Sequence, residues 1–202
     1  MRHLFQKRFW MAKTIRLLVV PMLGVTVVGC AAAMTPITAT STSCKGNSAR
    51  DIMVKVGPLC IDKYEASVWS RPDGTGTQYG THSKGDDFPE TFPDTGNWIV
   101  PLYAVSKAGV MPSGDITWFQ AQQACALSGK RLLTNAEWQK AAAGTPDGAP
   151  CIVSTSGPRV TGTPGCVSKW GTFDMTGNLA EWVTDWMQGN TIPWHRGQGR
   201  TE

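Results

Sequence analysis

The sequence predicts a loop-rich α+β domain. Three observations carry that expectation. Glycine and proline number 22 and 13 in 202 residues, so turns must be frequent. Nine tryptophans beside only 17% charged residues imply a core built on large aromatic rings. Only two stretches carry complete helix signals, and both are short. A chain of this length suffices for one domain with a real core.

The first 29 residues read as an export signal. They hold Arg2, Lys7, Arg8, Lys13 and Arg16 and no acid. An apolar run from Leu17 to Val28 follows, then Gly29 and Cys30. A basic start, a short apolar run and small residues before a cut describe a secretory signal. The run is too short for a comfortable membrane span. The ending "VVGC" resembles the lipobox of bacterial lipoproteins, in which the cysteine becomes the first mature residue and carries lipid. An ordinary signal peptide with a chance cysteine is the plainer alternative. Translation could start at Met1 or at Met11, because each precedes a complete signal. Ala31 after the cysteine resembles an outer-membrane address, facing the periplasm. The expected partner is therefore a membrane, reached through a lipid on Cys30. Without this segment the chain carries 14 basic against 15 acidic residues. No basic patch remains to draw in nucleic acid.

Residues 30–50, rich in Ala, Thr and Ser, read as a flexible tether, and residues 51–202 as the domain. Val56, Leu59, Ile61, Tyr64 and Val68 predict a strand or two entering a core. Residues 70–97 are punctuated by Gly, Pro and Asp and predict a long surface loop. "WIVPLYAVS" predicts a further short strand. In "ITWFQAQQACALSGKR", Thr117 and Gln120 form a capping box and Gly129 suits the position after the C-cap. Trp118, Ala121, Cys125 and Leu127 are expected inward. In "LTNAEWQKAAAG", Thr134 and Glu137 form a second box and Gly144 ends the helix. Export permits disulfides. Cys151 and Cys166 bracket a Gly/Ser/Thr/Pro loop and are expected to pair; Cys44 with Cys60 is a second pairing. Cys125 is then left over. His82 and His195 have no spacing partner and read as surface residues.

Four segments in order identify a family. "GKRLLTNAEWQKAAAG" and "FDMTGNLAEWVTDW" resemble the two hallmarks of the formylglycine-generating enzyme, or sulfatase-modifying-factor, family. "IDKYEAS" resembles its opening strand and "ITWFQAQQAC" its first helix. The resemblance spans residues 56–190 and implies an elaborated C-type-lectin-like fold. Its enzymes oxidise a sulfatase cysteine to formylglycine with oxygen and a copper ion held by two cysteines. Those cysteines follow a Gly-Gly-Ser strand downstream of the segment matching Trp186. No cysteine follows Cys166, so the copper ligands have no counterpart, and the domain is expected to be incomplete at its C-terminus.

Residues 173–186 admit three readings. The plainest is packing: Trp182, Val183 and Trp186 bury, and Gly177 supplies a backbone shape that side chains resist. The resemblance implies instead a structural Ca2+ held by Asn178, the Leu179 carbonyl and Glu181, all hard oxygen ligands. A general acid/base pair is the weakest, since no nucleophile or metal accompanies it. Asp174 and Asp185 read as a turn cap and a hydrogen-bonded acid. Glu137 needs no role beyond its cap, and Arg131 could pair with an inward acid such as Glu181. Two functions follow as expectations: a non-catalytic binding or scaffold module for a protein or carbohydrate ligand, or a cysteine-oxidising enzyme of the family.

Overall fold

The computed structural model describes residues 7–9, 11–13, 43–81, 83–151, 157–186 and 193–196. Of 7–9, 12, 13, 186 and 193–196 it describes the backbone alone. The expected cut at Cys30, most of the tether and His82 lie outside the described residues.

In chain order the elements are β1 (Lys7–Phe9), β2 (Met11–Lys13), β3 (Met53–Val56), β4 (Leu59–Asp62), β5 (Ala66–Trp69), β6 (Gln78–Tyr79) and β7 (Tyr103–Ser106). Then come α1 (Trp118–Leu127), β8 (Arg131–Leu132), α2 (Asn135–Ala142), β9 (Ala180–Trp186) and β10 (Pro193–Arg196). They form three small sheets, ordered β1-β9-β10, β3-β4-β2-β8 and β6-β5-β7. Short strands, two helices and long irregular links make an α+β architecture. Among the described residues no helix is long and apolar enough to cross a membrane.

β3 and β4 form a hairpin in which Val56 stands opposite Leu59. The two-residue turn between them opens with Gly57 at φ 60°, a shape that such turns require and side chains resist. β5 pairs antiparallel with β7 along its whole length. The "WIVPLYAVS" segment divides: Tyr103–Ser106 enters the sheet, while Trp98, Ile99 and Val100 stay exposed in the preceding loop. Apolar composition alone could not separate the two halves. The long polar segment is likewise not pure loop, since Gln78–Tyr79 adds an edge to β5.

Both helices start as the sequence predicts. Thr117 and Gln120 close one capping box, Thr134 and Glu137 the other. Gly129 and Gly144, just past the C-caps, take φ 64° and 87°. Ala121, Ala124 and Cys125 of α1 are buried, with Trp118 and Leu127 half-buried against the same core. Gln120 is buried too, because its side chain donates to the Phe92 carbonyl at 2.9 Å while capping the helix.

One core joins Val68, Phe92, Leu102, Ile116, Leu132 and Trp182, with Met11 among them. A second joins Val56, Ile61, Leu133, Ala141 and Met175 under Trp138 and Trp170. Cys44–Cys60 and Cys151–Cys166 are disulfides, and Cys125 is a free, buried thiol. The expected packing segment extends further than a packing motif: residues from Ala180 onward form β9, flanked by β1 and β10. Trp182 and Val183 are buried.

Candidate functional site

The 173–186 segment makes a hydrogen-bonded corner. Asn178 sits at φ 62°, in the left-handed region that Asn tolerates better than most residues. Its amide brackets Arg159: Oδ1 accepts from the Arg159 N–H at 2.7 Å, and Nδ2 donates to the Arg159 carbonyl at 3.2 Å. Nδ2 also donates to Glu65 Oε2 at 2.7 Å, and Glu65 is fully buried. Leu179 is buried, and Glu181 accepts a hydrogen bond from the Trp138 indole. So Asn178 Oδ1 and Glu181 Oε2 are each met by a protein donor. Asp174 is buried and accepts from Gly162 N–H at 2.6 Å and Thr163 N–H at 3.2 Å, capping a turn. Asp185 accepts from the Asn135 N–H at 2.6 Å, where the helix dipole of α2 favours a negative charge.

Arg131 pairs with Glu137, at 2.6 Å, and not with Glu181. Glu137 therefore serves its helix cap and an ion pair together. The Arg131 guanidinium bonded to it holds its carboxyl below the ordinary 4.5.

A second constellation escaped the sequence reading. Lys130, one residue past Gly129, points inward, and its Nζ donates to Asp51 Oδ1 at 2.6 Å and Asp62 Oδ1 at 2.8 Å. All three side chains are buried. Asp51 also accepts from Ser106 N–H at 2.9 Å and Asn47 N–H at 2.8 Å. The cluster thus ties the domain entrance, β4, β7 and the end of α1 together. Burial pushes the Asp62 carboxyl up to about 7; Lys130 pulls it down and Asp51 pushes it up. Burial likewise pushes the Cys125 thiol well up, with the Asp62 charge adding to it and Lys130 opposing. A buried lysine is rare enough that "GKR" reads as surface charge; nothing local marks Lys130 as internal.

The third feature is on the surface. Trp98, Ile99, Val100 and Phe119 are all exposed, Ile99 by 76%. The loop carrying the first three is pinned, not loose. Ile99 N–H donates to the Thr91 carbonyl at 2.7 Å, and Thr117 Oγ1 to the Asp94 carbonyl at 2.7 Å. Gly96 lies so close to α1 that a Cβ there would meet the Phe119 carbonyl at 2.9 Å. That contact sets Phe119 beside the Trp98 loop.

Among the described residues no group of three or more His, Cys, Asp or Glu gathers as a metal shell. Four of the described cysteines are spent in disulfides and Cys125 stands alone.

One family description, the Sulfatase-modifying factor enzyme 1-like domain, matches residues 53–157. That stretch holds the β3–β4 hairpin, both helices and Lys130 with Asp62; it begins just after Asp51 and ends before Phe173. No curated protein and no solved structure matches significantly. By the matched domain, which spans just over half of its residues, the chain belongs to the sulfatase-modifying-factor family.

Proposed function

We propose that the protein is a non-catalytic binding module of an exported lipoprotein, facing the periplasm from the outer membrane. One observation carries this reading: the pinned apolar rim of Trp98, Ile99, Val100 and Phe119. Exposed apolar residues gathered on an ordered loop favour a partner surface. A protein ligand is favoured over a carbohydrate, because the most exposed rim residues beside the rings of Trp98 and Phe119, Ile99 and Val100, are aliphatic and carry no polar group.

A photo-crosslinker at Ile99, used in intact cells, is expected to give a discrete protein adduct that Trp98→Ala weakens. No adduct, or the same adduct from the exposed position Lys55, would refute the rim. The competing reading is an enzyme that oxidises a protein cysteine to formylglycine. Stoichiometric Cu(I) binding together with formylglycine in a sulfatase peptide would establish it and displace the binding module.

The calcium proposal concerns Asn178, the Leu179 carbonyl and Glu181. The buried Glu65 carboxylate beside Asn178 supports it. Against it, Asn178 Oδ1 already accepts from the Arg159 N–H and Glu181 Oε2 from the Trp138 indole. The donors now in place fit a hydrogen-bonded corner better than a calcium shell. Melting in chelator and in excess Ca2+ decides: equal temperatures leave the corner, and a rise with Ca2+ that Asn178→Ala abolishes restores the ion.

A further inference from the structure

β2 lies between β4 and β8 and runs antiparallel to both. Ala12 is in register with Ile61 and Lys13 with Cys60 on one side. Met11 is in register with Leu132 and Ala12 with Arg131 on the other. Within this sheet β8 is joined to β4 through β2. Met11 is fully buried in the core that holds Leu132 and Trp182. Just ahead of it, Lys7–Phe9 runs parallel to Ala180–Trp182. These six residues therefore stitch two sheets together, and Met11 fills part of the core.

The same residues form the basic start of the expected export signal. A segment engaged by export cannot at that moment be a strand in this sheet. Its departure leaves the facing edges of β4 and β8 without partners and empties the space of Met11. Unpaired strand edges beside an apolar hollow favour occupation by another extended segment. The hollow adds a cavity cost that only an apolar side chain in the Met11 register removes.

We propose that Lys7–Phe9 and Met11–Lys13 are detachable strands. In the uncut chain they sit in the slot in cis. When the chain is cut behind them they stay bound without a covalent link. The same segment from a second copy can replace them, which makes the slot a strand-exchange interface between copies. The proposal rests on the export-signal reading only for where a natural cut falls; the seating rests on the β4-β2-β8 register.

The test uses the full chain with a protease site inserted after Met34. The folded protein is cut and run on a sizing column. The fragment of residues 1–34 is expected to co-elute with the domain. A labelled peptide of residues 5–15 should then exchange into the slot saturably. The same peptide with Met11→Asp should compete about 10-fold or more weakly, because it buries an unpaired charge. Dissociation of the fragment with an unchanged melting temperature overturns the proposal, and so does an aspartate peptide that competes equally. Dissociation that lowers the melting temperature overturns it as well, because the proposal has the cut strand stay bound. N-terminal sequencing of protein from membranes tests the natural cut separately, so the two ideas can fail apart.

Discussion

Around Lys130, one cation faces two carboxylates out of reach of water. Asp62 is held at about 7 chiefly by burial, above its ordinary 3.8. The folded chain therefore binds this proton more tightly than the unfolded chain. Stability from it is complete below about pH 4 and is lost as the pH rises to about 7. The loss is on the order of 2–4 kcal/mol. Glu137 acts in the opposite sense: its carboxyl is lowered from 4.5, so its contribution is lost only on acidification below that value. Urea midpoints taken across this range should fall with rising pH, and Asp62→Asn should flatten the trend. An equal slope in the variant would assign the trend to other groups. Lys130→Met leaves two buried acids facing each other, and an equilibrium unfolding experiment should register a loss of about 3–5 kcal/mol. The cluster was not readable from the sequence. Lys130 lies 79 and 68 residues from its partners, and no local spacing encodes that meeting.

At the level of elements, the helices were readable because their signals are local. A capping box needs only four consecutive residues, and the glycine after the C-cap answers a backbone demand of its own. Thr134→Ala should cost about 1 kcal/mol, as loss of an N-cap does. Glu137→Gln keeps the capping geometry and loses the charge on a partly exposed pair with Arg131, so a smaller loss of under about 1 kcal/mol is expected. Thermal melts of the two variants rank them; a costlier Glu137→Gln would mean that the ion pair, not the cap, holds α2. Strands were harder to place. Tyr103–Ser106 and Trp98–Val100 look alike in composition, yet one is buried against β5 and the other faces outward. Pairing partners decide that difference, and they are distant in sequence.

For the whole molecule, the proposed export reading and the seating of β1 and β2 in the sheets make competing demands on the N-terminal residues. Cys30→Ser should release the protein from membranes in a fractionation experiment, because the lipid has no other attachment in this reading. A variant that stays with the membrane would place the anchor elsewhere. The release should not disturb the domain itself, whose cores are assembled from residues outside the tether.

Local chemistry in the sequence was enough to determine the α+β class, both helix starts, the Cys151–Cys166 pairing and, through the ordered segments that fall within residues 53–157, the family. Each depends on a few neighbouring residues or on a loop short enough to close on itself. Tertiary structure alone decided that Lys130 is internal, that Arg131 meets Glu137, that Asn178 binds Arg159 and Glu65, and that Met11 fills the core between β4 and β8. Those contacts join segments far apart in the chain. Their energy comes from excluding water around both partners at once, which neither segment can signal by itself.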